Sequence, residues 1–382
     1  MSNSKRRVLF YVQHLLGIGH LARASRIADA VVEAGFAVTL VTGGTPVKGF
    51  PGAGVNHVQL PTVLAATGFS GLVDSEGVPV DAAFEQKRTA VLLETFHTVQ
   101  PDVVIIEAFP FGRRQVRFEL LPLLDTIKAT TPKPLLLSSV RDILQENRKP
   151  GRDQETADLV LSHFDGVLVH GDPNFVKLEE TFPLAASIRD RIYYTGLVAA
   201  PKPAPTDDQF DIVVSAGGGA VGAALIDAAL EAQAILGEDD RWCLITGPNL
   251  PQADYDRFSA MAPDAVTLYR FRPDFPALLP GAKLSISQAG YNTVCDLLRA
   301  KCPALLVPFA AGGETEQTVR AQKLEALGLA KVILEDGIKG AAMAEAITAA
   351  KALQFPENLT VSLNGASETA RLITELLDQR PS

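Results

Sequence analysis

Short apolar runs alternate with stretches whose apolar residues recur every three or four positions, and the two patterns take turns along most of the chain. Arg7 to His14 reads as a strand. Leu21, Ala24, Ile27, Ala28, Val31 and Val32 then repeat at helical spacing and stop at Gly35. Phe36 to Val41 is the next strand, followed by Val103 to Glu107, Leu135 to Ser139, Gly166 to His170 and Ile192 to Thr195. Strands that are apolar throughout, rather than at alternate positions, belong in parallel sheets covered by helices on both faces. Residues 45–82 are richer in Gly and Pro and less periodic, which predicts a long loop system with partial helix.

Pro201-Lys-Pro-Ala-Pro205, followed by Asp207-Asp208, interrupts the rhythm and reads as a linker. The alternation then restarts, with candidate strands at Ile212–Ser215, Trp242–Thr246, Val266–Tyr269, Leu284–Ser287, Ala304–Pro308 and Lys331–Leu334. A final helix, about Ser367 to Leu377, has no strand after it. The pattern predicts an α/β protein of two Rossmann-like domains with parallel sheets facing across a cleft. The expected limits are residues 1–200, a linker at 201–208, and residues 209–364.

Length and composition agree with this picture and narrow the function. A chain of 382 residues exceeds what one core ordinarily holds. Hydrophobic residues make up 47% and charged residues 21%, ordinary for a soluble globular protein. A net charge of −9 argues against general nucleic-acid binding, which needs a basic face. Cys243, Cys295 and Cys302 form neither a disulfide framework nor a CxxC zinc site, and are expected buried and reduced. Gln13 and His14 interrupt the N-terminal apolar run, no small-residue cleavage site follows, and no run approaches the ~20 apolar residues of a membrane span. The expectation is a cytoplasmic protein without a transmembrane segment.

Chemistry concentrates where strands meet glycine-rich turns. In Ser285–Gln317, Lys283 to Ser287 runs toward a buried strand, Gly290 breaks it, and Asn292 is placed to cap the next helix. A second apolar strand, Ala304 to Phe309, leads through Gly312-Gly313 into another helix. Helix N-termini facing the carboxyl ends of parallel strands commonly receive phosphate groups. Asp296, Glu316 and Gln317 lie in the first turns of the two helices. Carboxylates there would repel phosphate, but suit sugar hydroxyls. Ser215-Ala-Gly217-Gly218-Gly219-Ala-Val-Gly222 also follows a strand and opens a helix, so its amides can cradle a diphosphate. It lacks the Lys-Ser/Thr of a P-loop and the distant acid of a dinucleotide fingerprint.

In the first half, Gly17-Ile18-Gly19-His20 opens the first helix. A helix N-terminus disfavours imidazolium, so His20 is expected neutral and able to act as a base. Such a base needs an orienting partner. Glu107, at the carboxyl end of one strand, and Asp142, just past another, are both candidates, and Arg141 is a candidate for an acidic acceptor group. His14 is expected to be structural. Arg113 and Arg117, with Arg114 between them, are predicted one turn apart on a helix as a fork for phosphate or carboxylate. No DxD motif stands at a strand end where it could hold a metal. Arg270-Phe271-Arg272 follows a second-half strand.

Taken together, these segments resemble the GT-B glycosyltransferases, most closely the family 28 C-terminal domain over residues 210–335 and more weakly over 5–45. The resemblance implies that Asp296 holds the ribose of a uridine nucleotide and that Glu316 and Gln317 hold the donor sugar. This chain has Asp where the family usually has Glu, and Glu-Gln where it has Gln-Gln. It further implies that Gly217, Gly218 and Gly219 contact the diphosphate, that the Phe271 backbone reads the base, and that Gln288, Gly290, Asn292 and Thr293 complete the donor site. Gly17, Gly19 and His20 match the family's glycine loop and histidine. The implied closing helix, within 365–382, returns to the first domain. The implied activity is inverting, metal-independent transfer of a hexose or N-acetylhexosamine from a UDP-sugar, without a cofactor, to an unidentified acceptor. That acceptor would be phosphorylated or lipid-linked if Arg113, Arg114 and Arg117 hold it, with peripheral contact at the inner face of a membrane if it is a lipid. A UDP-sugar 2-epimerase of the same fold and a non-catalytic nucleotide-sugar-binding protein are the alternatives.

Overall fold

Every strand of the two large sheets pairs parallel to its neighbours. The computed structural model describes residues 5–15, 18–66, 71–145, 149–217, 222–237, 239–310, 314–356 and 361–380. The chain divides into two compact units, Met1–Val198 with Val361–Ser382, and Ala199–Thr360.

The first unit begins with β1 (Arg7–Val12), α1 (Gly19–Glu33), β2 (Ala37–Thr42) and β3 (Asn56–Gln59). A short hairpin, β4 (Leu64–Ala65) and β5 (Leu72–Val73), precedes α2 (Ala82–Val99) and β6 (Val103–Glu107). Then come α3 (Arg117–Ala129), β7 (Leu135–Arg141), α4 (Arg152–His163), β8 (Gly166–His170) and β9 (Ile192–Tyr194). The sheet order is β3-β2-β1-β6-β7-β8-β9. Its strands are apolar on both faces because both faces are covered. Val8, Phe10 and Val12 of β1 pack with Leu21, Ala24 and Ile27 of α1 and with Ala370 and Ile373 of the last helix, Gly365–Asp378. Leu9 and Tyr11 pack on the other side with Leu92 of α2 and Leu120 and Leu124 of α3.

The second unit runs β10 (Ile212–Ser215), α5 (Gly222–Leu236), β11 (Trp242–Ile245), α6 (Gln252–Met261), β12 (Val266–Tyr269) and α7 (Phe275–Leu278). It continues through β13 (Leu284–Ser287), α8 (Tyr291–Ala300), β14 (Ala304–Leu306), α9 (Glu316–Ala326), β15 (Ala330–Val332) and α10 (Gly340–Lys351). Its sheet order is β12-β11-β10-β13-β14-β15. In both sheets the strand order reverses beside the first strand, between β1 and β6 and between β10 and β13. The carboxyl ends there form the crevice in which doubly wound sheets hold ligands.

Three local expectations need correction. Residues 45–81 hold strands and, among the described residues, no helix; the helix starts at Ala82, where Asp81 accepts from the Phe84 amide at 2.8 Å. Asn-His-Val-Gln of β3 carries one apolar residue because it is an exposed edge strand, held by backbone pairing to β2 rather than by burial. Asn292 is not the cap of α8: the helix begins one residue earlier and Gly290 occupies the cap position without a side-chain bond. Arg113 and Arg117 do not share a helix, since Arg113 lies before the turn Arg114–Val116 with a left-handed φ of 57°, and α3 starts at Arg117.

Candidate functional site

At the switch point of the first sheet, His20 stands in the first turn of α1 and Glu107 ends β6. His20 Nδ1 lies 2.9 Å from Glu107 Oε1. A carboxylate can only accept, so Nδ1 carries the hydrogen and Nε2 keeps its lone pair. Arg23, one turn along α1, also donates to Glu107 Oε1, and Ser139 of β7 donates to Oε2 at 2.5 Å. Burial works to raise the Glu107 pKa, but Arg23, His20 and Ser139 outweigh it and hold the carboxyl well below the usual range. Burial lowers the His20 pKa to about 3; the Glu107 hydrogen bond opposes this, and Arg113 and Arg23 add to it. His20 is therefore neutral, with a free acceptor nitrogen, at any ordinary pH.

Of the two candidate orienting acids, Glu107 is the one bonded to the His20 ring. Asp142 is buried just beyond β7, packed where a side chain on Gly171 would sit. His14 Nε2 donates to the Thr45 carbonyl at 2.9 Å and anchors the loop after β2. Gly19 opens α1, and Gly17 lies outside the described residues.

The arginines divide. Arg114 and Arg117 both pair with Glu155, Arg117 at 2.8 Å, and Arg114 also reaches the Arg152 carbonyl and Thr156. Arg113 turns the other way and donates from Nε to the Gln13 carbonyl at 2.7 Å. Burial and the neighbouring Arg141 lower its pKa to about 10. Arg23, Arg113 and Arg141 thus converge where Glu107 is the facing carboxylate. His20, Arg23, Arg113, Arg141 and Gln145 line a cavity of about 140 Å³. A larger one of about 640 Å³ shares Phe111, Gly112, Arg113 and Gln145 with it and adds Arg114, Arg117, Arg152 and Glu155. Ala108, between Glu107 and this loop, sits at φ 66°, a conformation that L residues rarely hold without a surrounding reason.

Behind the site lies a second charged group that sequence reading missed. Arg88 of α2 pairs with Glu119 of α3 at 2.6 Å, both fully buried. Tyr11 donates to the same carboxylate, and Arg88 donates to Gln13 Oε1 at 2.5 Å and to the Gly43 carbonyl at 3.0 Å. Gln13 joins this network to Arg113. The signal available in sequence was an Arg and a Glu on otherwise apolar helix faces, which reads equally as a solvated stripe.

The second switch point has glycines and backbone nearest β10, with polar side chains on the two helices that follow. Gly217, after β10, has φ 73°, and a Cβ there would lie 2.7 Å from Gln288 Oε1. Gly247, not singled out from sequence, has φ 86°, and its Cβ would lie 2.3 Å from the Gly217 carbonyl. At Gly222 a Cβ would strike Ala216, so glycine lets α5 pack close to β10. Gly218 and Gly219 lie outside the described residues, as do Gly312 and Gly313. Gly290, Asn292, Thr293 and Asp296 fall at the cap and in the first two turns of α8, after Gln288, which directly follows β13. Glu316 and Gln317 open α9. Glu316 pairs with buried Arg320 at 2.6 Å, and Arg320 donates to the Ala289 carbonyl at 2.9 Å, tying α9 to the turn before α8. Gln317 Oε1 accepts from the Phe309 amide at 3.2 Å. Phe271 is 65% exposed between two anchored arginines: Arg270 bonds the Leu250 carbonyl and lies over Tyr255, and Arg272 bridges Asp208 and Asp274.

Among the described residues, no group of three or more His, Cys, Asp and Glu side chains is placed to hold a metal ion, and no helix is long and apolar enough to cross a membrane. The three cysteines are buried and unpaired with one another.

Residues 212–375 match the glycosyltransferase family 28 C-terminal domain. The chain is 30% identical over 172 residues, 44% of its length and 46% of the relative's, to a UDP-N-acetylglucosamine–N-acetylmuramyl-(pentapeptide) pyrophosphoryl-undecaprenol N-acetylglucosamine transferase of Gluconobacter oxydans. It spans about half the length of this and most of the other curated relatives it matches. A longer match, 27% over 346 residues, covers 87% of the chain and 83% of the transferase of the same name from Rhodospirillum centenum. Among solved structures, the glycotransferase of kitacinnamycin superimposes with a TM-score of 0.66 at 14% identity, over 99% of this chain and all of that one. The fold is that of the GT-B glycosyltransferases, and residues 212–375 are similar to the family 28 C-terminal domain.

Proposed function

We propose that the protein transfers a hexose or N-acetylhexosamine from a UDP-sugar to an acceptor hydroxyl, with inversion and without a metal. The observation that carries the transfer step is the His20–Glu107 pair, a neutral imidazole held by an ionised carboxylate beside a cavity. His20 Nε2 takes the hydroxyl proton as the acceptor oxygen attacks the anomeric carbon, the bond from that carbon to the diphosphate oxygen breaks, and UDP leaves. One displacement inverts the anomeric centre. Glu107 stabilises the imidazolium that forms.

The second unit would hold the donor. The family 28 match and relatives whose names specify UDP-N-acetylglucosamine support a uridine donor. The turn at Gly217 and the start of α5 are suited to seat the diphosphate through amides. The first unit would hold the acceptor. Arg23, Arg113 and Arg141 line the cavity beside His20, which supports an acceptor with a phosphate or other anionic group. The relatives' names, which specify a pyrophosphoryl-undecaprenol, support a lipid-linked one. Such an acceptor would bring the protein to the cytoplasmic face of a membrane as a peripheral protein.

The test begins with thermal shifts against UDP-, GDP- and dTDP-sugars, where only uridine compounds should stabilise. Transfer from the selected donor to prenyl-phosphate-linked sugars, and to the same sugars without phosphate, then tests the acceptor. Transfer should require the phosphate, weaken on Arg113→Gln, and survive EDTA. A 2-epimer formed from the donor alone, or UDP binding with no transfer to any acceptor of the panel, would overturn the reading.

A further inference from the structure

The hydrogen bonds at Glu107 continue into the sheet. Ser139 Oγ, which donates to Glu107 Oε2, lies 2.9 Å from His170 Nε2, at the end of β8. His170 Nδ1 lies 2.9 Å from Thr195 Oγ1, just after β9. Ser139 and His170 are fully buried and Thr195 nearly so. Burial pushes the His170 pKa down to about 3, so this ring is neutral too.

The directions of these bonds follow from what each group can donate. Glu107 only accepts, so the single hydroxyl proton of Ser139 points to it. Ser139 must then accept from His170, which carries its hydrogen on Nε2. His170 Nδ1 is left as an acceptor, and Thr195 Oγ1 is its donor; the same hydroxyl lies 3.0 Å from the Gly196 carbonyl and 3.4 Å from that of Val169. The chain therefore runs Thr195 to His170 to Ser139 to Glu107, and ends on the carboxylate from the side away from His20.

That matters because His20 Nδ1 has two neighbours with opposite demands. Glu107 Oε1, at 2.9 Å, requires a hydrogen on Nδ1. Arg23 Nη2, at 3.3 Å, can only donate, and would favour the other tautomer, in which Nε2 carries the hydrogen and is no base. A carboxylate free to turn, or protonated, would lose this competition. The charged groups facing the ring are Glu107, Arg23 and Arg113, with Arg141 beside Arg113.

We propose that Ser139 and His170 are positioning residues for His20: by occupying Glu107 Oε2 they keep the carboxylate aligned, and so select the His20 tautomer whose Nε2 can accept a proton. The tautomer part stands on geometry alone; only its consequence for rate rests on the transfer reading above.

The experiment is long-range ¹H–¹⁵N spectroscopy of the full-length protein labelled with ¹⁵N-histidine, with His20→Gln assigning the His20 signals. The native protein should show one His20 tautomer, hydrogen on Nδ1. Ser139→Ala should give a mixture of tautomers and, with the donor that the thermal shifts select, a kcat lower by ~10-fold with the donor KM within ~2-fold, as misalignment of a catalytic group produces. His170→Leu, which keeps the bulk, should behave alike. His170→Gln, which can still offer an N–H to Ser139, should restore the single tautomer. A single Nδ1–H tautomer in Ser139→Ala, or a tautomer mixture in His170→Gln equal to that in His170→Leu, overturns the proposal. If no donor supports transfer, the tautomer outcome still decides it.

Discussion

The two sheets share their topology, yet their switch points are made of different material. Beside β1 the first unit gathers ionisable side chains: His20, Glu107 and Arg23, with Ser139 and His170 behind and Arg88–Glu119 deeper still. Beside β10 the second unit offers glycines, Gly217, Gly222 and Gly247, and an amide side chain, Gln288, with one buried ion pair, Glu316–Arg320, tied to the turn before α8. All six histidines of the chain, His14, His20, His57, His97, His163 and His170, lie in the first unit. A crevice lined by backbone suits a ligand that arrives with its own charge, because amides present partial charges at no cost in desolvated ions. Moving a proton needs a side chain with a tuned pKa, and tuning requires burial and charged neighbours. One fold thus presents two kinds of crevice by varying what its strand ends carry.

The contrast can be broken at several points. Arg88→Leu leaves Glu119 buried without its partner, and should cost about 3–5 kcal/mol in the first unit. The chain's single tryptophan, Trp242, sits in β11 and reports the second unit. Urea unfolding should therefore show an early transition by circular dichroism with little change in the tryptophan signal; a shift in both would mean that the units do not unfold separately.

His20→Gln should lower transfer by ~10²-fold or more while UDP affinity stays within ~2-fold. A loss of UDP affinity instead would move His20 from base to donor binding.

Between pH 7 and 5.5 acid should act mainly on the first unit, which holds all six histidines, whereas paired carboxylates of the second unit such as Asp274 are held below the usual carboxylate range and titrate lower. His20 and His170 hold folded pKa values of about 3 against about 6.5 unfolded, so the unfolded chain takes up protons first as pH falls. Their stabilisation is complete above about pH 6.5 and is lost toward pH 3, at up to about 1.4 kcal/mol per pH unit for each ring. Melts at pH 7 and 5.5 should shift the first-unit transition; one that does not move would mean that these rings are charged when folded.

Gly217→Ala forces a side chain into a left-handed φ and against Gln288, and should weaken UDP binding ~10-fold by calorimetry. The smallest effect is expected at Arg117→Ala, whose half-exposed pair with Glu155 should change stability by no more than about 0.5 kcal/mol. A larger loss would make that pair structural.

The strands were legible in sequence because a sheet covered on both faces demands uninterrupted apolar runs, and those of β6, β8, β10, β12 and β13 were read to the residue. The edge strand β3 was not, since backbone pairing held it and burial did not. Gly217 was legible as a turn. Gly247 was not, because what excludes a side chain there is the Gly217 carbonyl, thirty residues away. Arg113, Arg114 and Arg117 read as one basic group. Their division, two to Glu155 and one toward His20, follows from a single left-handed residue that reorients the chain between them.

Sequence by itself determined the alternation, the two units, the glycine turns and His20 as an imidazole at a helix start, since each of these is local: periodicity, backbone freedom and the field of the first turn. Only tertiary structure decided that Glu107 meets that imidazole, that Ser139 and His170 stand behind it, and that Arg88 and Glu119 neutralise each other in the core. Those partners come from separate strands and helices, and a hydrogen bond between buried groups depends on distances that no spacing along the chain encodes.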